Sequence, residues 1–205
     1  MEENIYKAPE AELRSYNSGD IDDDLYIVSL KKFSILFIAT LGGYTIYWVY
    51  KNWKKYNDKH QLGYWPVARA IFSIFFVHSL FGYVDDKLNE KNIDFSWNPT
   101  LLATIYVILV IFDRVVDRLP DMGTISLYLG LGAILLTFVD YKIFHIAQQA
   151  VNASQGEPDG ASNSELTFAN YFWIVLGLLI WTLIITIFLL AFELIDSEFL
   201  LSLFS

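Results

Sequence analysis

Long stretches of this chain carry no charged residue, and they constrain its fold more than any other feature. The clearest runs from Tyr171 to Phe192, 22 residues without Asp, Glu, Lys or Arg. A helix of about 20 apolar residues is what the hydrocarbon core of a bilayer requires. Because 55% of all residues are hydrophobic and the mean hydropathy is +0.39, such stretches make up much of the chain. The sequence therefore predicts an all-α fold, a polytopic transmembrane helix bundle.

Five apolar segments are expected within a membrane domain that covers residues 31–205. They are residues 33–50, 64–84, 100–119, 123–139 and 171–192. The first has Gly42 and Gly43 at its middle, where a helix is easily interrupted. Tryptophans gather at segment ends, as an aromatic belt at the membrane interfaces would place them, and these are Trp48, Trp53, Trp65, Trp97 and Trp173.

The first 30 residues have a different character. Eight acidic residues there face only Lys7 and Arg14, so this part is predicted to be an acidic disordered tail, either solvated or docked on a basic partner. Its polarity predicts that no cleavable signal peptide is present. The chain has no cysteine, which excludes disulfides and thiolate metal sites.

The distribution of the 14 Lys and Arg residues favours an interrupted first segment. If all five segments spanned, the two sides of the membrane would carry equal numbers of them. If the first segment instead re-enters at Gly42-Gly43, most fall on one side, as the positive-inside rule requires. We therefore predict four spanning helices plus a broken or re-entrant first segment, with both termini cytoplasmic. Residues 152–166, rich in Gly, Ser and Asn, are predicted to be a mobile loop on the opposite side.

One short run resembles a known group of proteins. The run Thr40-Leu-Gly-Gly-Tyr-Thr-Ile-Tyr-Trp-Val-Tyr-Lys51 is similar to the T-L-G-x-Y-x-x-Y-W-x-Y-K run of small, uncharacterised bacterial inner-membrane proteins that share a domain of unknown function. The leader Tyr6 to Leu13 is similar to one found on many such proteins. This resemblance implies a multi-pass protein of the bacterial inner membrane and supplies no activity.

Ionisable residues at membrane depth are costly and are therefore the candidate functional residues. They are Arg69, His78, Asp113, Arg114 and Asp117. From the helix rise and the bilayer thickness, Arg69 and Asp113 are expected at similar depths in neighbouring antiparallel helices, and we predict that they pair. The alternative is that Arg69 snorkels to lipid phosphates. His78 is expected to be a hydrogen-bonded residue inside the bundle.

The sequence says least about activity. The motifs of P-loop nucleotide binding, zinc proteases and serine hydrolases are missing, so we expect a protein that is not an enzyme and that has no catalytic residue, cofactor or metal. A non-enzymatic accessory or scaffold protein of the inner membrane is the first hypothesis, and a small transporter or channel is the alternative. A second carboxylate at membrane depth or an inverted repeat would favour transport, and neither is visible in the sequence.

The expected partners are the lipid bilayer and either a membrane-protein partner or a second copy in a homo-oligomer, with no nucleic acid. Residues 193–205 are predicted to form an amphipathic helix at the cytoplasmic interface, because apolar and acidic residues alternate there.

Overall fold

A computed structural model describes residues 24–192, and this part of the chain is helical with no β-strand. The helices are α1 (Leu30–Ala39), α2 (Tyr44–His60), α3 (Pro66–Ile71), α4 (Ser73–Glu90), α5 (Pro99–Val116), α6 (Thr124–Ser154) and α7 (Phe168–Ala191), with a 3₁₀ turn at Ala161–Asn163. The all-α prediction is confirmed. Within the described residues, α5, α6 and α7 are long and apolar enough to cross a membrane. That is three helices, where four were predicted. The predicted amphipathic helix lies outside the described residues.

The first apolar segment is broken where its glycines predicted. The rings of Phe33 and Tyr44 lie 5.7 Å apart, whereas a continuous helix would separate them by roughly 16 Å. The chain reverses through Leu41 (φ 51°) and Gly42 (φ 82°), left-handed conformations that glycine adopts at little cost. Thr40 Oγ1 accepts the backbone N–H of Tyr44 at 2.9 Å, which satisfies a donor at the start of α2. The two helices form a hairpin, which we call the first hairpin (residues 30–60).

The second apolar segment also folds back. Tyr64 and Tyr83 both pack on Trp53, at ring distances of 5.9 and 5.7 Å, although a straight helix from Pro66 to Tyr83 would be about 25 Å long. The bend is at Phe72 (φ −100°, ψ 38°), between α3 and α4. The predicted spanning helix over residues 64–84 is therefore a second hairpin (residues 66–90), because the aromatic cluster around Trp53 draws its two ends together.

α6 and α7 pack against α1 of the first hairpin, and α5 packs between α4 and α6. α5 and α6 are antiparallel neighbours, with Tyr106 and Phe144 in contact at 5.0 Å. α6 has 31 residues and is thus about 46 Å long, well beyond the roughly 30 Å of a hydrocarbon core. Its buried residues begin at Ile143, so the first part of α6 presents apolar side chains outward and its last turns are packed inside the protein.

The last turns of α6 belong to a polar layer that we call the base. It contains residues 24–29, the second half of α2, the ends of α4 and α6, and residues 155–167. Residues 24–29 are non-helical and buried, and side-chain amides bind their backbone. The amide clamp consists of Asn52, Gln148, Asn152, Gln155 and Asn163, which between them bond to the backbone of residues 24–28 at 2.9–3.3 Å.

The base corrects three expectations from the sequence. Asp24 is buried and paired with Lys87 at 2.7 Å, and residues 24–29 are buried with it, so these residues belong to the folded base although they were predicted to be part of the tail. Residues 152–166 are tied to the chain near Ser29, whose N–H donates to the Asn163 carbonyl, rather than forming a free loop. Since residues 24–29 and 152–166 touch, the prediction that they lie on opposite sides is also wrong.

Candidate functional site

Two carboxylates lie on the neighbouring helices α5 and α6, which are two of the helices that are apolar enough to cross a membrane. They belong to Asp113 on α5 and Asp140 on α6, and they are close enough to interact electrostatically. In each, the Oδ1 atom is buried and has no hydrogen-bond partner. Among residues 24–192, only two other side-chain atoms share that condition, Tyr44 Oη and Trp53 Nε1. Of these atoms, an unpaired carboxylate oxygen has the largest free-energy cost of burial, because a carboxylate loses the most hydration.

Asp113 opens onto a cleft at the tip of the first hairpin. The cleft has a volume of about 360 Å³, and Leu41 of the hairpin tip contributes to its wall. The other lining residues come from the three long helices and are mostly apolar: Val110, Asp113, Arg114, Val116, Asp117, Ala133, Ile134, Thr137 and Ile184. The carboxylate of Asp113 is therefore reachable through a cavity between helices. Irregular backbone such as the hairpin tip is tolerated inside a membrane where it lines such a cavity.

Arg69 does not neutralise this site. Its guanidinium carbon lies 4.1 Å from the ring centre of Trp53, 3.6 Å from that of Tyr64 and 4.7 Å from that of Phe76. Cation–π contacts with these rings hold it on the second hairpin. In the described part of the chain no ion pair joins Arg69 to Asp113, so the predicted pair is wrong. The pair was predicted from the similar depths of Arg69 and Asp113 alone, and depth does not determine which helix faces are in contact.

The remaining predicted polar residues lie at the surface. Arg114 and Asp117 form an i,i+3 ion pair at 3.5 Å with side chains 76% and 65% exposed. Such an exposed pair contributes little to stability. His78 is hydrogen-bonded, as predicted, with Nε2 3.1 Å from Thr104 Oγ1, but it lies on the surface of α4 rather than inside the bundle. Of the predicted residues, Asp113 alone has a buried polar atom without a partner.

Hydroxyl groups lie near the carboxylates. Tyr106 lies within electrostatic range of Asp140. Its hydroxyl is hydrogen-bonded to Ser73 Oγ at 2.8 Å. Thr137, in the cleft wall, donates to the Ala133 carbonyl at 3.2 Å. Neither hydroxyl carries a charge that could compensate the carboxylates.

Asp140 was not among the residues predicted from the sequence. It stands one residue beyond the predicted segment 123–139, where a charge appeared to mark the end of a helix. The signal that would have found it is the apolar pattern that continues at helical spacing through Ile143, Phe144, Ala147 and Val151. That pattern places Asp140 in the interior of one long helix.

Chemically, the site offers two carboxylates in a mostly apolar setting. Across residues 24–192, no group of three or more His, Cys, Asp or Glu side chains is arranged to hold a metal ion. Divalent cations such as Ca²⁺ take six to eight oxygen ligands, more than this pair offers. Two carboxylates can share one proton, or bind a singly charged cation, and either would reduce their mutual repulsion.

No family model matches this chain, and neither does any curated protein or solved structure with which it was compared.

Proposed function

We propose that this chain is a multi-pass protein of the bacterial inner membrane, in which α5, α6 and α7 cross the bilayer and both hairpins enter it from the base and return. The depth of the first hairpin supports this arrangement. Trp181 Nε1 donates to the Ile38 carbonyl at 2.9 Å, and Gly177 lies against Ala39, so the hairpin tip is level with the middle of α7. The ten residues of α1 are about 15 Å long, half of a hydrocarbon core.

The hairpin tip meets the condition for irregular backbone inside a membrane. Its N–H groups are paired locally, since Leu41 N donates to Ile38 O at 3.2 Å and Gly42 N to Phe37 O at 2.9 Å. The Trp181 indole adds a donor from α7. Backbone groups that are satisfied in this way can be placed in hydrocarbon at low cost.

Charge supports a cytoplasmic base. The base and the chain beside it carry Lys31, Lys32, Lys51, Lys54, Lys55, Lys59, Lys87 and Lys91. The opposite end, between α5 and α6, carries Arg118, and Arg114 lies inside the last turn of α5. By the positive-inside rule the base is cytoplasmic, and the end of α7 at Ala191 is external. This arrangement replaces the prediction that the chain returns to the cytoplasmic side after its last membrane segment.

Within this topology the function we propose is that of a small transporter or channel for protons or singly charged cations. The observation that carries the proposal is the pair Asp113 and Asp140, which lie on neighbouring helices and each have a buried oxygen with no partner. An ionisable residue inside a membrane segment is by default a candidate for an ion or proton pathway, and Arg114, which lines the same cleft, is paired with Asp117. Broken helices that end near such a site are a recurrent feature of transporters. Binding a proton or cation would neutralise part of the charge, and release would restore it.

Flux into proteoliposomes tests the proposal. We expect the purified protein to carry a proton or sodium current driven by a concentration gradient. Asp113→Asn and Asp140→Asn should each reduce that flux by at least tenfold, because each removes a charge from the pair. Asp117→Asn is the matched control, since its side chain lines the same cleft but is exposed and paired with Arg114. Equal flux from the wild type and both pair variants would reject the proposal.

The topology has its own test, and the absence of cysteine makes it simple. Single cysteines replace Lys54, Asp159 and Met122 in turn, and a membrane-impermeant maleimide is applied to intact cells and to inverted vesicles. We expect Lys54→Cys and Asp159→Cys to react only in inverted vesicles and Met122→Cys only in intact cells. Labelling of positions 54 and 159 from opposite sides would contradict the topology.

The hypothesis of a non-enzymatic accessory protein stays a prediction beside this one. It predicts that proteoliposomes show no flux and that a partner protein co-purifies in a fixed ratio. The transporter proposal is preferred because the second carboxylate at membrane depth, which an accessory role does not require, is present.

A further inference from the structure

Polar groups follow one another in depth along the contact between α5 and α6. The rings of Tyr106 and Phe144 pack at 5.0 Å, so these two residues share a level. On α6, Asp140 stands one turn from Phe144 and about 6 Å nearer the cleft. On α5, Asp113 stands seven residues from Tyr106 and about 10 Å nearer the cleft. Asp140 therefore lies at a depth between Asp113 and Tyr106.

The cleft reaches only the first of these groups. Asp113 lines it, whereas Asp140 and Tyr106 do not. Toward the base, the contact between the two helices is closed by Tyr106, Leu109 and Phe144, which are 8%, 9% and 0% exposed. A metal cation cannot pass between side chains that are packed in this way. A proton can, because it is transferred from one carboxyl or hydroxyl group to the next.

The helices also lack the ligands that a metal cation requires at this depth. Sites for K⁺ and Na⁺ in membranes use the carbonyl groups of irregular backbone in place of the hydration shell. α5 is helical from Pro99 to Val116 and α6 from Thr124 to Ser154. The carbonyl groups around Asp113 and Asp140 are therefore engaged in helical hydrogen bonds. The ion that fits this pair of carboxylates is a proton.

Two hydroxyl groups continue the series beyond Asp140. Tyr106 lies within electrostatic range of Asp140, and its Oη is 2.8 Å from Ser73 Oγ. Ser73 is the first residue of α4, directly after the bend at Phe72, and it is only partly buried. A hydroxyl group can accept one proton while it donates its own. Tyr106 thus connects the carboxylates to the bend of the second hairpin.

We infer that the transported ion is a proton, and that the hydroxyls of Tyr106 and Ser73 transfer it between Asp140 and the bend of the second hairpin. This inference rests on the proposed transport function and deepens it. A proton from the cleft binds Asp113 and passes to Asp140. The Asp140 carboxyl group then donates it to Tyr106 Oη, while Tyr106 donates its own proton to Ser73 Oγ and Ser73 donates its own to water at the bend. Both hydroxyls are neutral again and both carboxylates regain their charge after one proton has passed.

Flux measurements in proteoliposomes test this inference. A pH gradient is imposed with K⁺ and valinomycin present to compensate charge, an internal pH dye reports protons, and radioactive sodium is followed in parallel. We expect the wild type to carry protons and no sodium. Tyr106→Phe should reduce proton flux about tenfold or more at an unchanged melting temperature, because it removes the hydroxyl and keeps the ring on Phe144.

Ser73 gives the same test without changing the ring of Tyr106. Ser73→Ala should reduce proton flux as Tyr106→Phe does, and Ser73→Thr, which keeps a hydroxyl, should retain it. The matched control is Tyr141→Phe. Tyr141 is next to Asp140 in sequence and its hydroxyl also meets a serine, Ser34 Oγ at 2.9 Å, but its ring packs on Phe37 of α1. This control should carry protons like the wild type.

The outcomes separate this inference from the transport proposal. Sodium uptake that Asp113→Asn abolishes and Tyr106→Phe leaves unchanged would overturn the inference while transport stands. Flux of neither ion in the wild type would overturn both. Full proton flux in Tyr106→Phe or in Ser73→Ala, or an equal loss in Tyr141→Phe, would overturn the role of the two hydroxyls.

Discussion

Buried side-chain amides in the base are hydrogen-bonded, whereas two buried carboxylate oxygens at the cleft and beside it are not. In the base, the non-helical residues 24–29 are enclosed by the amide clamp, whose side chains bond to the backbone on both of its edges. Gln148 and Asn152 also bond to each other at 2.6 Å. Asp113 lines the cleft and Asp140 lies on the neighbouring α6, and each of these two carboxyl groups leaves an oxygen buried without a partner.

This difference separates polar groups that stabilise the fold from polar groups that serve another purpose. A buried hydrogen-bonded amide contributes about 1 kcal/mol per bond, and losing it leaves its partners unsatisfied at further cost. A buried carboxylate without a partner costs free energy in the folded state. Functional sites typically lower stability in this way, so the unpaired oxygens of Asp113 and Asp140 indicate a functional rather than a structural role.

The largest effect is expected for Asn152→Ala in the clamp. The change removes bonds to Val28 N and Val28 O and to Gln148, all of them buried. We expect the free energy of unfolding to fall by about 3–5 kcal/mol, because several buried groups lose their partner at once. Thermal unfolding in detergent measures it. Asn89→Ala is the control, since that amide is exposed and makes one long bond. Equal losses in the two variants would show that the clamp does not stabilise the base.

A smaller effect is expected where α7 meets the hairpin. A Cβ atom on Gly177 would lie 1.9 Å from the Ala39 carbonyl oxygen, so Gly177→Ala must push α7 and the hairpin apart. We expect a loss of about 2–3 kcal/mol, as in overpacked cores. Gly132→Ala on α6 has no atom within 4 Å of the added methyl group and should be neutral or slightly stabilising. Differential scanning fluorimetry should show the contrast, and matching melting temperatures would disprove the close approach.

Arg69 gives a third test, about half as large. Arg69→Leu should lose about 1–2 kcal/mol, since three aromatic rings surround the guanidinium. The double change Arg69→Asp/Asp113→Arg should show no recovery relative to the single changes, because the two residues do not pair. Recovery in that double variant, measured by thermal unfolding, would restore the pair predicted from depth.

Local patterns in the sequence predicted some of this arrangement well. The helical class follows from long uncharged windows, and the break at Gly42-Gly43 follows from two adjacent glycines within an apolar run. Asp113 was found because a charge within an apolar segment is conspicuous. Each of these features can be read within about 20 residues.

Features that depend on contacts between distant residues were missed. Nothing near Asp24 shows that its backbone N–H binds Gln155, 131 residues away. The fold-back at Phe72 depends on packing against Trp53, and without it residues 64–84 have the composition of a spanning helix. The second error reversed the predicted side of residues 152–166, because one crossing that was predicted and does not occur inverts the side of everything after it.

The free energy of unfolding of Asp113→Asn/Asp140→Asn tests the central claim most directly. If the carboxylates serve function rather than stability, this variant should be as stable as the wild type within about 0.5 kcal/mol, or more stable, because Asn has the same shape without the charge. Its melting temperature should equal or exceed that of the wild type while Asn152→Ala melts far lower. A loss in the double aspartate variant as large as that in Asn152→Ala would contradict the account, since it would make the pair a structural element like the clamp.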